Sequence, residues 1–182
     1  MQRELVEQAI GGDHEAFSEL VRLSSRKLYA VATLILRDRT RAEDAAQEAL
    51  VAAWRDLSGL RDPDRFEAWL HRILVRECYR LANRERRRIE AEGQVRPITE
   101  SSDPGLQNAH RDELERGFAR LPVDQRTVLV LHHYVGYSFP EIAETLGIPV
   151  GTAKSRVHRA TSAMRAALTA DARTPGLGGT AV

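Results

Sequence analysis

Residues 138–160 read Ser-Phe-Pro-Glu-Ile-Ala-Glu-Thr-Leu-Gly-Ile-Pro-Val-Gly-Thr-Ala-Lys-Ser-Arg-Val-His-Arg-Ala. Ser138 and Glu141 have capping-box spacing, in which the hydroxyl accepts from the third helical amide and the carboxylate reaches back to the cap amide. Pro140 falls in the first turn, where its missing N–H would be unsatisfied anyway. Ile142, Ala143 and Leu146 give this short helix one apolar side, and Gly147 stands where a left-handed residue ends it. The turn Gly147-Ile148-Pro149 leads into a second helix. There Ala153, Val157, Ala160, Met164 and Leu168 recur at helical spacing and face inward. Lys154, Ser155, Arg156, His158, Arg159 and Ser162 are left for the other faces. This is a helix-turn-helix layout, with small Ala143 for close approach and a second helix whose N-terminal half is polar and basic, the half that enters a major groove. Arg and Lys donate to guanine O6 and N7, about 1–3 kcal/mol of discrimination for a good bidentate pair. The helix N-terminus at Gly151 and Thr152 can also receive a phosphate. The bland alternative is a helical hairpin used only for packing.

Outward from there the chain also reads as helices, and no stretch shows the period of two expected of a strand. Leu114, Phe118 and Leu121 mark a helix stopped near Pro122; Val128, Leu129 and Leu131 mark the next. Residues 89–110 hold few apolar side chains but contain Gly93, Pro97, Ser101, Ser102, Pro104 and Gly105, the composition of a flexible linker between two domains. Before it, Asp62-Pro63 starts a helix whose buried face is Phe66, Trp69, Leu70, Ile73, Leu74, Cys78 and Leu81. Arg72, Arg76, Arg80 and Arg84 recur every fourth residue as one stripe, with Asn83 and Arg87 beside it. Thr40 and Glu43 read as a further capping box. It would open a helix over roughly 41–57 with Ala42, Ala45, Ala46, Ala49, Leu50, Ala53 and Trp54 on one side and Glu43, Asp44, Gln47 and Glu48 on the other. Asp13 reads as the N-cap of an earlier helix striped by Phe17, Leu20, Val21, Leu28, Val31, Ala32 and Ile35. The expected fold class is all-α: a helical domain over 1–88, a linker over 89–110, a second helical domain over 111–170 and a disordered tail over 171–182.

Composition sets limits. The 182 residues are 42% apolar and 29% charged, enough to bury a core and stay soluble. No apolar stretch is long enough for a membrane span, and Glu4 and Glu7 rule out a secretory signal in the first ten residues. The single cysteine, Cys78, excludes an internal disulfide, and Cys/His metal-ligand spacing is absent. The chain reads as a reduced, cytoplasmic protein with no cofactor. Its net charge of +1 conceals structure: residues 71–88 sum to +5 and 150–173 to +4, while 38–67 and 112–149 each sum to −3. Two basic segments in a near-neutral chain point to two contacts with a polyanion. The plain alternative is a pair of solvated arginine faces.

The string Leu-Pro-Val-Asp-Gln-Arg at 121–126, with 137–147 and 151–160, closely resembles domain four of extracytoplasmic-function (ECF) sigma factors. Ala-Glu-Asp-Ala-Ala-Gln-Glu at 42–48, Trp54, and Phe-Glu-Ala-Trp-Leu-His-Arg-Ile at 66–73 resemble domain two. The likeness covers about 13–88 and 110–170, in the right order. It implies a subunit that binds bacterial core RNA polymerase and directs promoter recognition, opening and transcription initiation. By the resemblance, the helix carrying Glu43, Asp44, Gln47 and Glu48 docks on the polymerase. The loop Ser58, Gly59, Leu60, Arg61 and Asp62 and the helix carrying Arg72, Arg76, Arg80, Asn83 and Arg84 engage the minus-ten element of the promoter, capturing a flipped base. Thr152, Lys154, Ser155, Arg156, His158 and Arg159 sit where the family reads the minus-thirty-five element. An anti-sigma factor is the further partner that the family implies. Three positions depart from the pattern: Arg76 and Arg80 where many members have Asn and Asp, and Ala153 where many have Val.

Other readings stay beside this one. Trp54, Phe66 and Trp69 could stack bases, but their spacing with apolar neighbours favours core. Cys78 lies on an apolar stripe and reads as a buried, inert thiol. His132-His133 is not expected to bind metal, because adjacent helical residues point apart. Glu43 and Asp44 have no nucleophile or phosphate loop near them in sequence, so no enzyme is expected. A conventional helix-turn-helix regulator is the alternative function, and a protein that only titrates an inhibitor is a third.

Overall fold

Six alanines set the spacing of the N-terminal half. Ala42, Ala45, Ala46, Ala49, Ala52 and Ala53 are all buried on one helix, and such short side chains let the helices on either side approach closely. The structure, a computed structural model, describes residues 2–92 and 109–172. It begins with α1 (Gln2–Ile10), α2 (His14–Leu36), α3 (Arg39–Asp56) and α4 (Phe66–Glu92). Two short 3₁₀ turns, Leu57–Gly59 and Pro63–Arg65, join α3 to α4. The second half holds α5 (Ala109–Ala119), α6 (Val123–Leu129) with a π-helical turn at Val130–Tyr134, α7 (Phe139–Leu146) and α8 (Val150–Ala172). The fold is all-α, as expected. Residues 93–108 and 173–182, which hold most of the expected linker and tail, lie outside the described residues.

Helix starts follow the side chains available. Asp13 caps α2, accepting from the Glu15 and Ala16 amides at 2.8 and 3.0 Å. The capping box expected at Thr40 and Glu43 is not used. Asp38 caps α3 instead, accepting from Arg41 N at 2.9 Å, because the chain enters from a left-handed Arg37 (φ 55°) that puts Asp38 in the extended region. Asp62 caps the first turn before α4, though that turn is 3₁₀. The Ser138–Glu141 box of α7 is present in both directions, and Gly147 ends the helix at φ 64°.

The first half packs α2 on α3 and α3 on α4, with α1 against α2. The second gathers α5, α6 and α7 around α8. Gly117 allows the α5–α8 approach: a β-carbon there would lie 3.1 Å from Leu168 Cδ2. The two halves also meet, α4 against α7 and α2 against α6, so one apolar cluster runs through both. Nothing in the residue spacing announced that contact.

Candidate nucleic-acid interface

The acidic-polar face of α3 forms because its opposite face is spent on packing. Ala42, Ala45, Ala46 and Ala49 are buried, and Glu43, Asp44, Gln47 and Glu48 are exposed together on the other side. Trp54, expected in the core, is 38% exposed and packs at a tilt against Phe17 and His14, ring centres 4.7 and 4.8 Å away. The buried side of α3 is already filled by its six alanines.

On α4 the expected apolar face is largely buried: Phe66, Leu70, Ile73, Leu74 and Cys78 are interior, Trp69 and Leu81 half-buried. Burial pushes the Cys78 thiol up to about 12, which keeps it protonated. Arg72, Arg76, Arg80, Asn83 and Arg84 are exposed. The stripe is less bare than its charge sum suggested. Arg80 donates to Glu77 at 2.6 Å, Arg88 donates to Glu85 at 3.1 Å, and Arg41 reaches Glu85 at 3.2 Å. In the preceding loop Ser58, Gly59, Arg61 and Asp62 are exposed, whereas Leu60 is turned inward at 8% exposure. Leu60 thus anchors the loop from inside. A cleft of about 540 Å³ opens beside the loop, lined by Gly59, Trp69, Arg72 and Arg76. Trp69, read from spacing as core, thus stands at a cleft wall one turn before Arg72.

Helix α8 carries the third surface. Ala153, Val157 and Ala160 are buried against α6 and α7, and Lys154, Ser155, His158 and Arg159 face solvent with Thr152 and Arg156 half-buried. Ser155 and Arg159 fold back onto helix carbonyls at 3.0 and 3.4 Å, which leaves the lysine and histidine to project. The two adjacent histidines do not diverge as expected. The π turn holds their rings 4.8 Å apart, with His132 Nδ1 hydrogen bonded to Tyr137 O at 2.8 Å and its ring stacked on Phe139. Among the described residues no group of three or more His, Cys, Asp or Glu side chains could hold a metal ion. No described helix is long and apolar enough to cross a membrane.

Sequence reasoning missed His71, Tyr137, Arg126 and Arg37, all of which lie where the halves meet. His71 is 2% exposed and shares a 2.7 Å hydrogen bond with the Tyr137 hydroxyl. Arg126 Nε donates to Ile35 O at 2.7 Å, and Arg37 donates to Glu115 O at 2.7 Å.

Comparison with known proteins adds to this geometry. Residues 20–88 match the family described as Sigma-70 region 2, and 111–164 match Sigma-70, region 4. The chain is 34% identical to the ECF RNA polymerase sigma factor SigM of Mycobacterium tuberculosis, over 86% of this chain and 79% of that one. It is 33% identical to the ECF RNA polymerase sigma-E factor of Haemophilus influenzae, over 86% and 89%. Among solved structures, CnrH in complex with the cytosolic domain of CnrY is similar at TM-score 0.69 and 32% identity, covering 93% of this chain and 98% of that one. The sigma factor RpoE in complex with the anti-sigma factor NepR from Bartonella quintana follows at TM-score 0.67 and 26% identity, covering 85% and 98%.

Proposed function

The chain belongs to the extracytoplasmic-function (ECF) family of RNA polymerase sigma factors, and on that premise we propose how its surfaces divide the work. The face of Glu43, Asp44, Gln47 and Glu48 docks on core polymerase. The loop at 58–62 and the outer side of α4 engage the melted minus-ten strand, with Trp69 and the cleft beside it available to an unstacked base and Arg72 and Arg76 to its phosphates. Lys154, Ser155, Arg156, His158 and Arg159 read the minus-thirty-five element in the major groove, with Thr152 at the helix start. Promoter opening draws on binding energy, and the protein works in the cytoplasm beside its polymerase. An anti-sigma factor is a further partner, as in the complex of the similar Bartonella quintana protein.

The observation that carries this reading is the division of α8. One face is used up by Ala153, Val157 and Ala160, and a basic face projects from a helix held by a capped partner helix and a left-handed glycine turn. The test is run-off transcription with bacterial core polymerase and a pool of genomic upstream fragments. New discrete starts are expected. They should vanish when Asp44, Gln47 and Glu48 are all replaced by Ala, a change on an exposed face that leaves the helix content intact. Duplex binding without new starts would instead identify a conventional regulator.

A further inference from the structure

Helix α1 stops at Ile10, ahead of residues 20–88 that match Sigma-70 region 2. It is nevertheless built into the same half. The turn Gly11-Gly12 brings the chain back so that α1 packs along α2. Val6 is fully buried and Ala9 nearly so, a spacing of three that gives a mostly polar helix one inward edge. Besides α2, the helix packs against both 3₁₀ turns, Leu57–Gly59 and Pro63–Arg65. Those turns frame the loop at 58–62, the surface assigned to the minus-ten strand.

The loop has few restraints of its own. Leu60 N donates to Leu57 O at 3.0 Å and Arg65 N to Asp62 O at 3.0 Å, while the Asp62 carboxylate accepts from Asp64 N at 3.1 Å. Single 3₁₀ turns have poor hydrogen-bond geometry, and Ser58, Gly59, Arg61 and Asp62 are all exposed. A wall that must be ordered when an unstacked base arrives loses affinity for it. Arg3 supplies a tie from outside. Its Nε donates to Glu7 Oε1 at 2.9 Å, one turn along α1, and this steadies the guanidinium while Nη1 donates to Asp64 Oδ2 at 2.5 Å. Asp64 is the residue whose amide the Asp62 carboxylate holds. A line of contacts thus runs from Glu7 through Arg3 and Asp64 to Asp62, the last residue of the loop. The Arg3 and Asp64 side chains are 56% and 60% exposed, and such a pair is weak by itself. Burial of Val6 and Ala9 therefore docks the helix, and Arg3 fixes where its start meets the loop.

We propose that α1 is a positioning element for promoter opening: docked by Val6, it uses Arg3 to hold Asp64, and through Asp64 the loop at 58–62, in the shape that receives the minus-ten strand. Arg3 and Val6 are positioning residues, not DNA contacts. The inference rests on the assignment of that loop to the minus-ten element.

The test uses the full chain assembled with core polymerase on a promoter recovered by the run-off assay. Two quantities are read: the lifetime of open complexes after a heparin challenge, and the ratio of transcripts from the parent promoter to those from templates with one base changed in the minus-ten or minus-thirty-five element. Arg3→Ala removes an exposed group and should leave helix content and core affinity unchanged. Its open complexes should decay about two- to fivefold faster, the range open to an exposed ion pair. Discrimination against minus-ten changes should fall by a like factor, and discrimination against minus-thirty-five changes should hold. Asp64→Ala should do the same, and the double variant should be no worse than either single one, because both remove one contact. Arg3→Lys should recover part of the loss, and Val6→Ala should act in the same direction as Arg3→Ala. A helix that only adds stability would lower the active fraction and leave both ratios alone. That result, or effects of Arg3→Ala and Asp64→Ala that simply add, overturns the proposal. Failure of the loop's assignment would look different: Arg61→Ala with Asp62→Ala would itself leave the minus-ten ratios unchanged, and the proposal falls with it.

Discussion

His71 lies on the helix of the arginine stripe but is turned the other way, under Tyr137. A free histidine titrates near 6.5. Burial, and behind it the charge of Lys27 on α2, push His71 down to about 4, against the opposing pull of Glu67 on its own helix. Between those values the unfolded chain takes up a proton that the folded chain refuses. His71 therefore leaves stability intact above about pH 6.5 and lowers it as pH falls toward 4, by at most about 3 kcal/mol. Urea midpoints at pH 7.5 and 5 test this, because His71→Asn cannot titrate. The wild-type chain should lose more stability than the variant over that interval; parallel curves would refute the assignment. Cys78 makes the opposite case. With its thiol pushed up to about 12 and no exposed surface, it should resist maleimide in the native chain and react at once in denaturant. Mass spectrometry of the two samples decides. Cys78 was legible in the sequence because it sits squarely on an apolar stripe. His71 was not: it stands one place off that stripe, and only the arrival of α7 turns its side of α4 into an interior. Trp54 misled in the reverse direction, since its spacing matches the core side while neighbouring alanines fill that side completely.

At the level of elements the local signals were mostly readable. The α7 cap is the clearest. Glu141 accepts from the Ser138 amide at 2.8 Å and from its hydroxyl at 2.6 Å, while the hydroxyl's own contact to the Glu141 amide is long at 3.5 Å. Most of the box thus depends on the carboxylate. Glu141→Ala should cost about 1 kcal/mol, and Ser138→Ala no more, both seen as a lower denaturant midpoint with unchanged slope. A larger loss from Ser138→Ala would show that the hydroxyl is the principal cap. Ala153 gives a packing test in the same unit. It is fully buried where α8 crosses α7, so Ala153→Leu should overpack and cost about 1–3 kcal/mol. Two elements escaped the sequence. Thr40 and Glu43 fit a capping pattern, yet Asp38 two residues earlier captures the helix start, because either site satisfies the amides and the left-handed Arg37 selects one. The π turn at Val130–Tyr134 has no composition signal, since one extra residue per turn depends on tertiary fit.

The whole molecule is where sequence reasoning stopped. Each half could be drawn from periodicity, but their docking depends on Arg37, His71, Arg126 and Tyr137, residues that single-helix patterns assign to solvent or to a turn. The docking has a thermal consequence. Unfolding enthalpy runs near 0.7 kcal/mol per residue around 60 °C, so the described halves taken separately would melt with about 64 and about 45 kcal/mol, and jointly with about 109. A continuous apolar cluster and a buried polar pair across the seam between the halves favour the joint transition. Scanning calorimetry of the wild-type chain should give one peak whose van't Hoff enthalpy matches the calorimetric value near the larger figure. The chain with Tyr137→Phe and Glu144→Arg, which loses the hydrogen bond to His71 and sets a second cation against Arg65, should resolve into two peaks, each steep only to the extent of its own half. The enthalpies carry the decision, because two unlinked halves can melt at the same temperature by coincidence but cannot then sharpen each other's transition. A wild-type peak with the van't Hoff enthalpy of one half would mean that the seam is too weak to couple them, and that the promoter-reading halves are independent before polymerase arrives.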